Sequence, residues 1–144
     1  MTPEPARKPR LLMIEDNPGD VSLFRWALER SGVDCELSVI TDGGAALDFI
    51  KHAEGSSDAS TPDLVILDLN LPKASGSEVL TAMRATALYA QVPVIVWTSS
   101  NAPSDRAQLN ALRVKHYLVK PPDLDEFLKL GGSIKQLLEE QSAL

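Results

Sequence analysis

The stretch that decides the fold is LVILDLNLP, residues 64–72. Four apolar residues, Leu64 to Leu67, run without interruption into Asp68. A continuous apolar run is typical of a parallel strand that is covered on both faces. A carboxylate is costly to remove from water unless hydrogen bonds or a cation compensate its charge. Asp68 therefore marks the end of a central strand and a place where compensating groups are expected.

Strand and helix patterns alternate along the rest of the chain. The predicted strands are residues 10–15, 36–41, 64–68, 94–98 and 116–119. Apolar residues at helical spacing predict helices that begin near residues 18, 45, 78, 103 and 124. Alternating strands and helices predict an α/β fold, in which a parallel sheet lies between helices on both faces. This periodicity leaves the strand order open.

The glycine pair Gly131-Gly132 leaves the last helix ambiguous. Each glycine costs roughly 1 kcal/mol in a helix interior. Ser133 and Gln136 have the spacing of a capping box, which would begin a second helix there. We expect one helix with a weakened middle.

Composition excludes several classes of protein. The 144 residues suit one domain, which we assign to residues 10–141 after a loose tail at 1–9, with no output domain. The net charge of −6 argues against nucleic-acid binding. Apolar runs are too short to span a membrane, and the start does not resemble a signal peptide. With Cys35 as its single cysteine, the chain is expected in the cytoplasm.

The ends of the predicted strands carry reactive side chains. Strand one ends in Glu15-Asp16, strand three in Asp68, strand four in Thr98 and strand five in Lys120. Ligands of open α/β sheets bind beyond the carboxyl ends of the strands. If strands one and three are neighbours, three carboxylates share a pocket, and such a cluster of oxygen ligands predicts Mg²⁺.

These groups indicate phosphoryl-transfer chemistry. A carboxylate such as Asp68 can attack phosphorus and form an aspartyl phosphate. The hydroxyl of Thr98, the ammonium of Lys120 and a metal ion would stabilise the charge on the transferred group. Taken alone, Asp16 and Asn17 could both be helix caps. Because Asp68 and Lys120 are also present, we expect Asn17 to be the cap and Asp16 to be a ligand.

Four motifs together resemble the receiver domain of two-component response regulators: MIEDNPGDV, VILDLNLP, PVIVWTSS and HYLVKPP. The resemblance covers about residues 10–140. It implies a flavodoxin-like, doubly wound three-layer sandwich with strand order 2-1-3-4-5. It also implies that Asp68 is the phosphoacceptor, that Thr98 binds a phosphoryl oxygen and that Lys120 pairs with the phosphoryl group. Tyr117 matches the switch aromatic of the family.

The resemblance also implies a metal site and a subfamily. The implied Mg²⁺ ligands are Glu15, Asp16, Asp68 and the backbone carbonyl of Asn70. The polar loop at 54–61, the EDNPGDV opening and RVKHY without a glycine are similar to the small regulators paired with bacterial phytochromes and related sensor kinases. Trp97 departs from the family pattern, because a smaller aliphatic residue is common there.

The expected function is that of a signalling module rather than an enzyme with a separate substrate. A sensor histidine kinase would phosphorylate Asp68, and helix four, strand five and helix five would then present a changed surface to a downstream protein target or to a second copy. Two alternatives stay open. One is a Mg²⁺-dependent phosphohydrolase, although Asn70 stands where such enzymes want a second acid. The other is a scaffold pseudo-receiver that is never phosphorylated.

Overall fold

The computed structural model describes residues 8–54, 61–99, 103–120 and 124–142. Most of the predicted tail at 1–9 and of the predicted loop at 54–61 lies outside these ranges. Within them, no helix has the length and apolar character needed to cross a membrane.

A five-stranded parallel sheet forms the centre of the molecule, in the order β2-β1-β3-β4-β5. The strands are β1 (Arg10–Ile14), β2 (Glu36–Ile40), β3 (Leu64–Leu67), β4 (Val94–Thr98) and β5 (His116–Val119). The order implied by the family resemblance is thereby confirmed. Ile14 of β1 pairs with Leu67 of β3, so Glu15 and Asp68 leave the sheet side by side.

Five helices connect and cover the strands. They are α1 (Pro18–Arg30), α2 (Gly43–Glu54), α3 (Gly76–Ala85), α4 (Pro103–Asn110) and α5 (Leu124–Ser142). Helix α2 begins at Gly43, two residues before the predicted start near residue 45. Asp42 is its cap, because its side chain accepts a hydrogen bond from the backbone N–H of Ala45 at 2.6 Å. Gly43 begins the helix, and any side chain there would overlap the carbonyl oxygen of Ala74.

Two apolar cores lie on the two faces of the sheet. Phe24 of α1 and Ile134 of α5 belong to the core on one face, which also takes Met13 of β1. Val79 of α3 and Leu109 of α4 belong to the other core. Strands β1, β3 and β4 contribute alternating residues to both cores, which explains why their sequences are apolar throughout. The three-layer sandwich predicted from the sequence is confirmed.

Helix α5 is a single helix that passes through the glycine pair. Gly131 is buried against α1, and a Cβ on it would overlap the backbone carbonyl of Ala27 and the hydroxyl of Ser31. Gly132 is exposed, and a Cβ there would have no neighbour within 4 Å. The first glycine is therefore needed for the close approach of the two helices, whereas nothing in the packing explains the second.

The glycine pair provides a matched test of this packing. We expect Gly132→Ala to stabilise the protein by up to ~1 kcal/mol, because alanine is the better helix former. Gly131→Ala should destabilise it by about 1–3 kcal/mol, because the added methyl group forces α5 away from α1. Urea denaturation of the two variants and the wild type measures both effects. Equal effects of the two substitutions would contradict the proposed role of Gly131.

Candidate functional site

Three carboxylates meet where β1 and β3 end. One oxygen of each of Glu15, Asp16 and Asp68 lies within 4.8 Å of the others. Glu15 and Asp68 are buried, with 1% and 5% exposure, while Asp16 is exposed. The juxtaposition follows from the strand order, since β1 and β3 are neighbours whose carboxyl ends lie at one edge. The predicted convergence of these acids is present in the structure.

The backbone fixes the two buried acids. Glu15 and Asp68 continue the sheet ladder, with backbone N–H groups that donate to Ile40 at 3.0 Å and to Ile14 at 3.1 Å. The side chain of Asp68 accepts a hydrogen bond at 3.2 Å from the backbone N–H of Asn70, through Oδ1. This contact leaves Oδ2 of Asp68 facing the other side of the site.

Lys120 closes that other side. Its Nζ lies 2.6 Å from Oε1 of Glu15, 2.7 Å from Oδ2 of Asp20 and 3.2 Å from Oδ2 of Asp68. The backbone N–H of Lys120 donates to the carbonyl of Thr98 at 2.7 Å, which holds the residue at the end of β5. Lys120 therefore joins the acids of both central strands, as the sequence predicts.

Asp20 is the residue that sequence reasoning missed. It lies in the first turn of α1, whose cap is Asn17. The side chain of Asn17 accepts hydrogen bonds from the backbone N–H groups of Gly19 and Asp20, at 2.9 and 3.3 Å. The signal was available, because a helix that begins directly after the β1 acids places its third residue beside them.

Trp97 forms the floor beneath the lysine. Its indole ring is 1% exposed and its centroid lies 5.3 Å from Nζ of Lys120. On the core side the ring packs against Phe24, with 5.9 Å between centroids. An ammonium over an indole face is a favourable cation–π arrangement. Trp97 thus fills the space under the site and adds a contact to the lysine.

The remaining predicted residues lie around this centre. Thr98 is fully buried at the end of β4. Tyr117 is half-buried on β5 and packs against the core that contains Val96, its partner in the sheet. The guanidinium of Arg106 lies 4.8 Å from the centroid of the Tyr117 ring. Asn70 is exposed two residues beyond Asp68. The roles assigned to these residues stay predictions.

Burial and charge shift the ionisation of two groups. Burial, together with the neighbouring Asp68 carboxylate, raises the pKa of Glu15 to about 7 against the opposing effect of Lys120. For Lys120, burial works against the charged form. Hydrogen bonds to Asp20 and Glu15 and the charge of Asp68 outweigh it and raise the pKa of the ammonium above its ordinary value. Lys120 is thus a permanent cation at neutral pH.

The donor set fits a divalent cation. Glu15, Asp16 and Asp68 offer only oxygen ligands, and one ammonium cannot neutralise three carboxylates and Asp20 as well. Closely spaced carboxylates require either a proton or a cation, and oxygen ligands favour hard ions such as Mg²⁺, Mn²⁺ or Ca²⁺. Burial and the Asp68 carboxylate favour a proton on Glu15 when no cation is bound, and its raised pKa reflects this.

Comparison with known protein families decides the affiliation. The model of the response regulator receiver domain matches residues 11–130, which include the acids, Thr98 and Lys120. The chain belongs to the response regulator receiver domain family. Its sheet order and the acids at its carboxyl edge are those that the sequence motifs led us to expect.

Regulators of phytochrome signalling are among the similar proteins. Response regulator Rcp1 of Synechocystis sp. is 33% identical over 134 residues, which cover 93% of this receiver chain and 91% of Rcp1. The phosphorylated cyanobacterial phytochrome response regulator RcpA matches with a TM-score of 0.80 and 31% identity, over 90% of this chain and 93% of RcpA. The bacteriophytochrome response regulator RtBRR matches with a TM-score of 0.71 and 34% identity, over 85% of this chain and 75% of RtBRR.

One solved relative contains a divalent metal. Rcp1 in its Mn²⁺-bound form matches this receiver chain with a TM-score of 0.77 and 34% identity, over 88% of this chain and 91% of Rcp1. Divalent metal binding is thus a property of the family, and the three acids of this chain form a site of suitable composition.

The pKa of Glu15 predicts a pH-dependent metal affinity. A metal ion binds the ionised carboxylate, so protons compete with it below a pH of about 7. We expect the affinity for Mg²⁺ to be about tenfold weaker at pH 6 than at pH 8, with proton release on binding at the lower pH. Isothermal titration calorimetry in buffers of different ionisation enthalpy measures both. Glu15→Gln should bind more weakly and without this pH dependence, and an equal wild-type affinity at the two pH values would refute the assignment.

Proposed function

We propose that this receiver domain accepts a phosphoryl group on Asp68 from a phosphohistidine of a sensor histidine kinase, in a Mg²⁺-dependent reaction. The observation that carries the proposal is the position of Asp68 between a group of carboxylates and the ammonium of Lys120. Two further carboxylates lie within 4.8 Å on one side, and Nζ of Lys120 lies 3.2 Å from Oδ2 on the other. Such an arrangement offers a nucleophile beside one ammonium and beside acids that could hold a metal ion, and both cations would stabilise phosphoryl charge.

The side chains divide the work of the transfer. An oxygen of Asp68 forms the new bond to phosphorus while the bond from phosphorus to the histidine nitrogen breaks, and the electron pair stays on the imidazole. Lys120 balances charge on the phosphoryl oxygens, and the hydroxyl of Thr98 donates a hydrogen bond to one of them. Bound to Glu15, Asp16, Asp68 and the carbonyl of Asn70, Mg²⁺ would supply further positive charge.

The donor that we propose is a phytochrome-type histidine kinase. RcpA and RtBRR, both described as phytochrome response regulators, support this choice through identities of 31% and 34%. We place the reaction in the cytoplasm, because a single half-buried cysteine, Cys35, suits a reducing compartment. In this proposal the domain modifies only itself and has no separate substrate.

The phosphohydrolase alternative is less well supported by the chemistry of the site. It requires a general acid for the leaving group two residues after the nucleophile. That position holds the exposed amide Asn70, which cannot donate a proton to a leaving alkoxide. Sustained release of phosphate from phosphomonoesters by the purified protein would favour this alternative over the signalling function.

Substitution of the acceptor tests the proposal directly. Incubation with acetyl phosphate and Mg²⁺ should add one phosphoryl mass to the intact wild-type protein, and chelation of the metal should prevent it. Asp68→Asn should gain no mass, because its amide is not a nucleophile toward phosphorus. Asp48→Asn, an exposed substitution of the same kind in α2, serves as the control and should behave as wild type. Intact-protein mass spectrometry gives the readout, and modification of Asp68→Asn would exclude the assignment.

The output surface that we propose consists of α4, β5 and α5. Thr98 alternates with Trp97 along β4 and so points to the sheet face of Val96 and Tyr117. Movement of Thr98 toward a phosphoryl group would give the Tyr117 ring space to turn inward, away from Arg106. A change on β5 is well placed to alter contacts, because β5 is an edge strand with Val119 exposed by 38%.

A phosphate mimic tests whether this surface assembles two copies. We expect beryllofluoride with Mg²⁺ to shift the light-scattering mass from monomer toward dimer. Val119→Lys should prevent the shift by placing a charge in the apolar contact. Phe49→Lys, which changes an exposed apolar residue on α2, should leave the shift intact. A constant mass in the wild type would direct the search toward a different protein as the target.

A further inference from the structure

Lys120 makes a contact that phosphoryl transfer does not require. Its Nζ lies 2.7 Å from Oδ2 of Asp20, which is closer than the 3.2 Å to the acceptor Asp68. The lysine side chain is 14% exposed, so this ion pair is largely shielded from solvent. Charge-assisted hydrogen bonds of this length are among the stronger polar contacts in proteins.

Asp20 stands apart from the candidate metal ligands. The described acids whose oxygens lie within 4.8 Å of one another are Glu15, Asp16 and Asp68, and Asp20 is not among them. It belongs to the first turn of α1, whereas the candidate metal ligands directly follow β1 and β3. Its contact with Lys120 therefore holds the lysine rather than the metal.

The valence of the ammonium sets up a competition. A lysine ammonium has three donors. It donates hydrogen bonds to Oδ2 of Asp20 and Oδ2 of Asp68, and Oε1 of Glu15 lies 2.6 Å away as an ion-pair partner. A phosphoryl group on Asp68 brings new oxygens, which compete with these carboxylates for the ammonium.

Of the two carboxylate partners that the transfer does not modify, Asp20 is the one that can be released at the lower cost. Its side chain is 19% exposed, whereas that of Glu15 is 1% exposed and sits at the end of a central strand. A released Asp20 can be hydrated by solvent, whereas a released Glu15 is closed off from solvent and would depend on the metal ion alone to compensate its charge. The exchange of Asp20 for a phosphoryl oxygen is the less costly one.

We infer that Asp20 is a positioning residue that retains Lys120 in the unphosphorylated protein and competes with the phosphoryl group for its ammonium. The inference rests on the proposed function of Asp68 as phosphoacceptor. After the exchange, the carboxylate of Asp20 faces a phosphoryl group of the same charge sign. Loss of the contact and the repulsion that follows both favour the unphosphorylated protein, so Asp20 limits how stable and how long-lived the phosphorylated form is.

Neutralisation of Asp20 tests this competition. Asp20→Asn should bind beryllofluoride on the order of tenfold more tightly than wild type at saturating Mg²⁺, because the competing charge is gone. The aspartyl phosphate should persist longer after removal of the phosphodonor. Asp20→Glu keeps a carboxylate near the lysine and should restore behaviour close to wild type. Asp20→Ser removes the same charge and serves as the second variant if the asparagine protein folds poorly.

A matched control separates this role from general effects of charge and stability. Glu29→Gln removes one negative charge from an exposed position of the same helix, roughly 13 Å farther along its axis, and should leave beryllofluoride affinity unchanged. Melting temperature and affinity for Mg²⁺ alone provide the structural readouts. A residue with only a structural role would lower the melting temperature and weaken both ligands together, rather than strengthen one of them.

The outcomes distinguish the inference from the function on which it rests. If the wild type binds beryllofluoride and Asp20→Asn binds it with equal or weaker affinity, the role of Asp20 is refuted and the function of Asp68 stands. If the wild type neither binds beryllofluoride nor gains phosphate from acetyl phosphate, the role of Asp20 and the function of Asp68 are both refuted. Tighter binding by Asp20→Asn and Asp20→Ser, reversed in Asp20→Glu, supports the competition.

Discussion

The structure depends on the concentration of negative charge at the carboxyl edge of the sheet. Two central strands end in buried acids, and Lys120 alone is too little cation to neutralise them. Burial, together with the neighbouring Asp68 carboxylate, raises the pKa of Glu15. Apolar side chains on both faces of β1 and β3 keep these acids in place, so the energy of core packing maintains an electrostatic arrangement that is unfavourable by itself. Such an excess of negative charge favours the binding of a metal ion. The phosphorylation that we propose would change the charge on Asp68.

Much of the fold could be predicted because its causes are local in the sequence. The apolar runs that end in Asp68 and Thr98 indicate central strands, and Pro18 after Asn17 indicates a helix start. The strand order came from the family resemblance, since five alternating strands and helices allow several orders. The start of α2 was predicted two residues too late, because the requirement for Gly43 arises from a distant backbone group, the carbonyl of Ala74.

The candidate site was predicted in its main members and missed in one. Residues that directly follow strands, such as Glu15 and Lys120, are brought together by topology alone, and the sequence reveals which residues these are. Asp20 lies within a helix, where an acid in the first turn has an adequate explanation in the helix dipole. Its contact with Lys120 joins residues one hundred positions apart, and its first-turn position after the β1 acids was the hint that the sequence offered.

The close packing of α5 against α1 at Gly131 has a consequence for Lys120. Helix α1 is fixed against α5 near its end, where the carbonyl of Ala27 leaves no room for a side chain at Gly131, and its first turn is capped by Asn17. Close packing at one end and a capped first turn at the other restrict the movement of the Asp20 backbone. The flexible partner of the ion pair is then the long methylene chain of Lys120, and in the exchange that we propose this side chain is the part that moves.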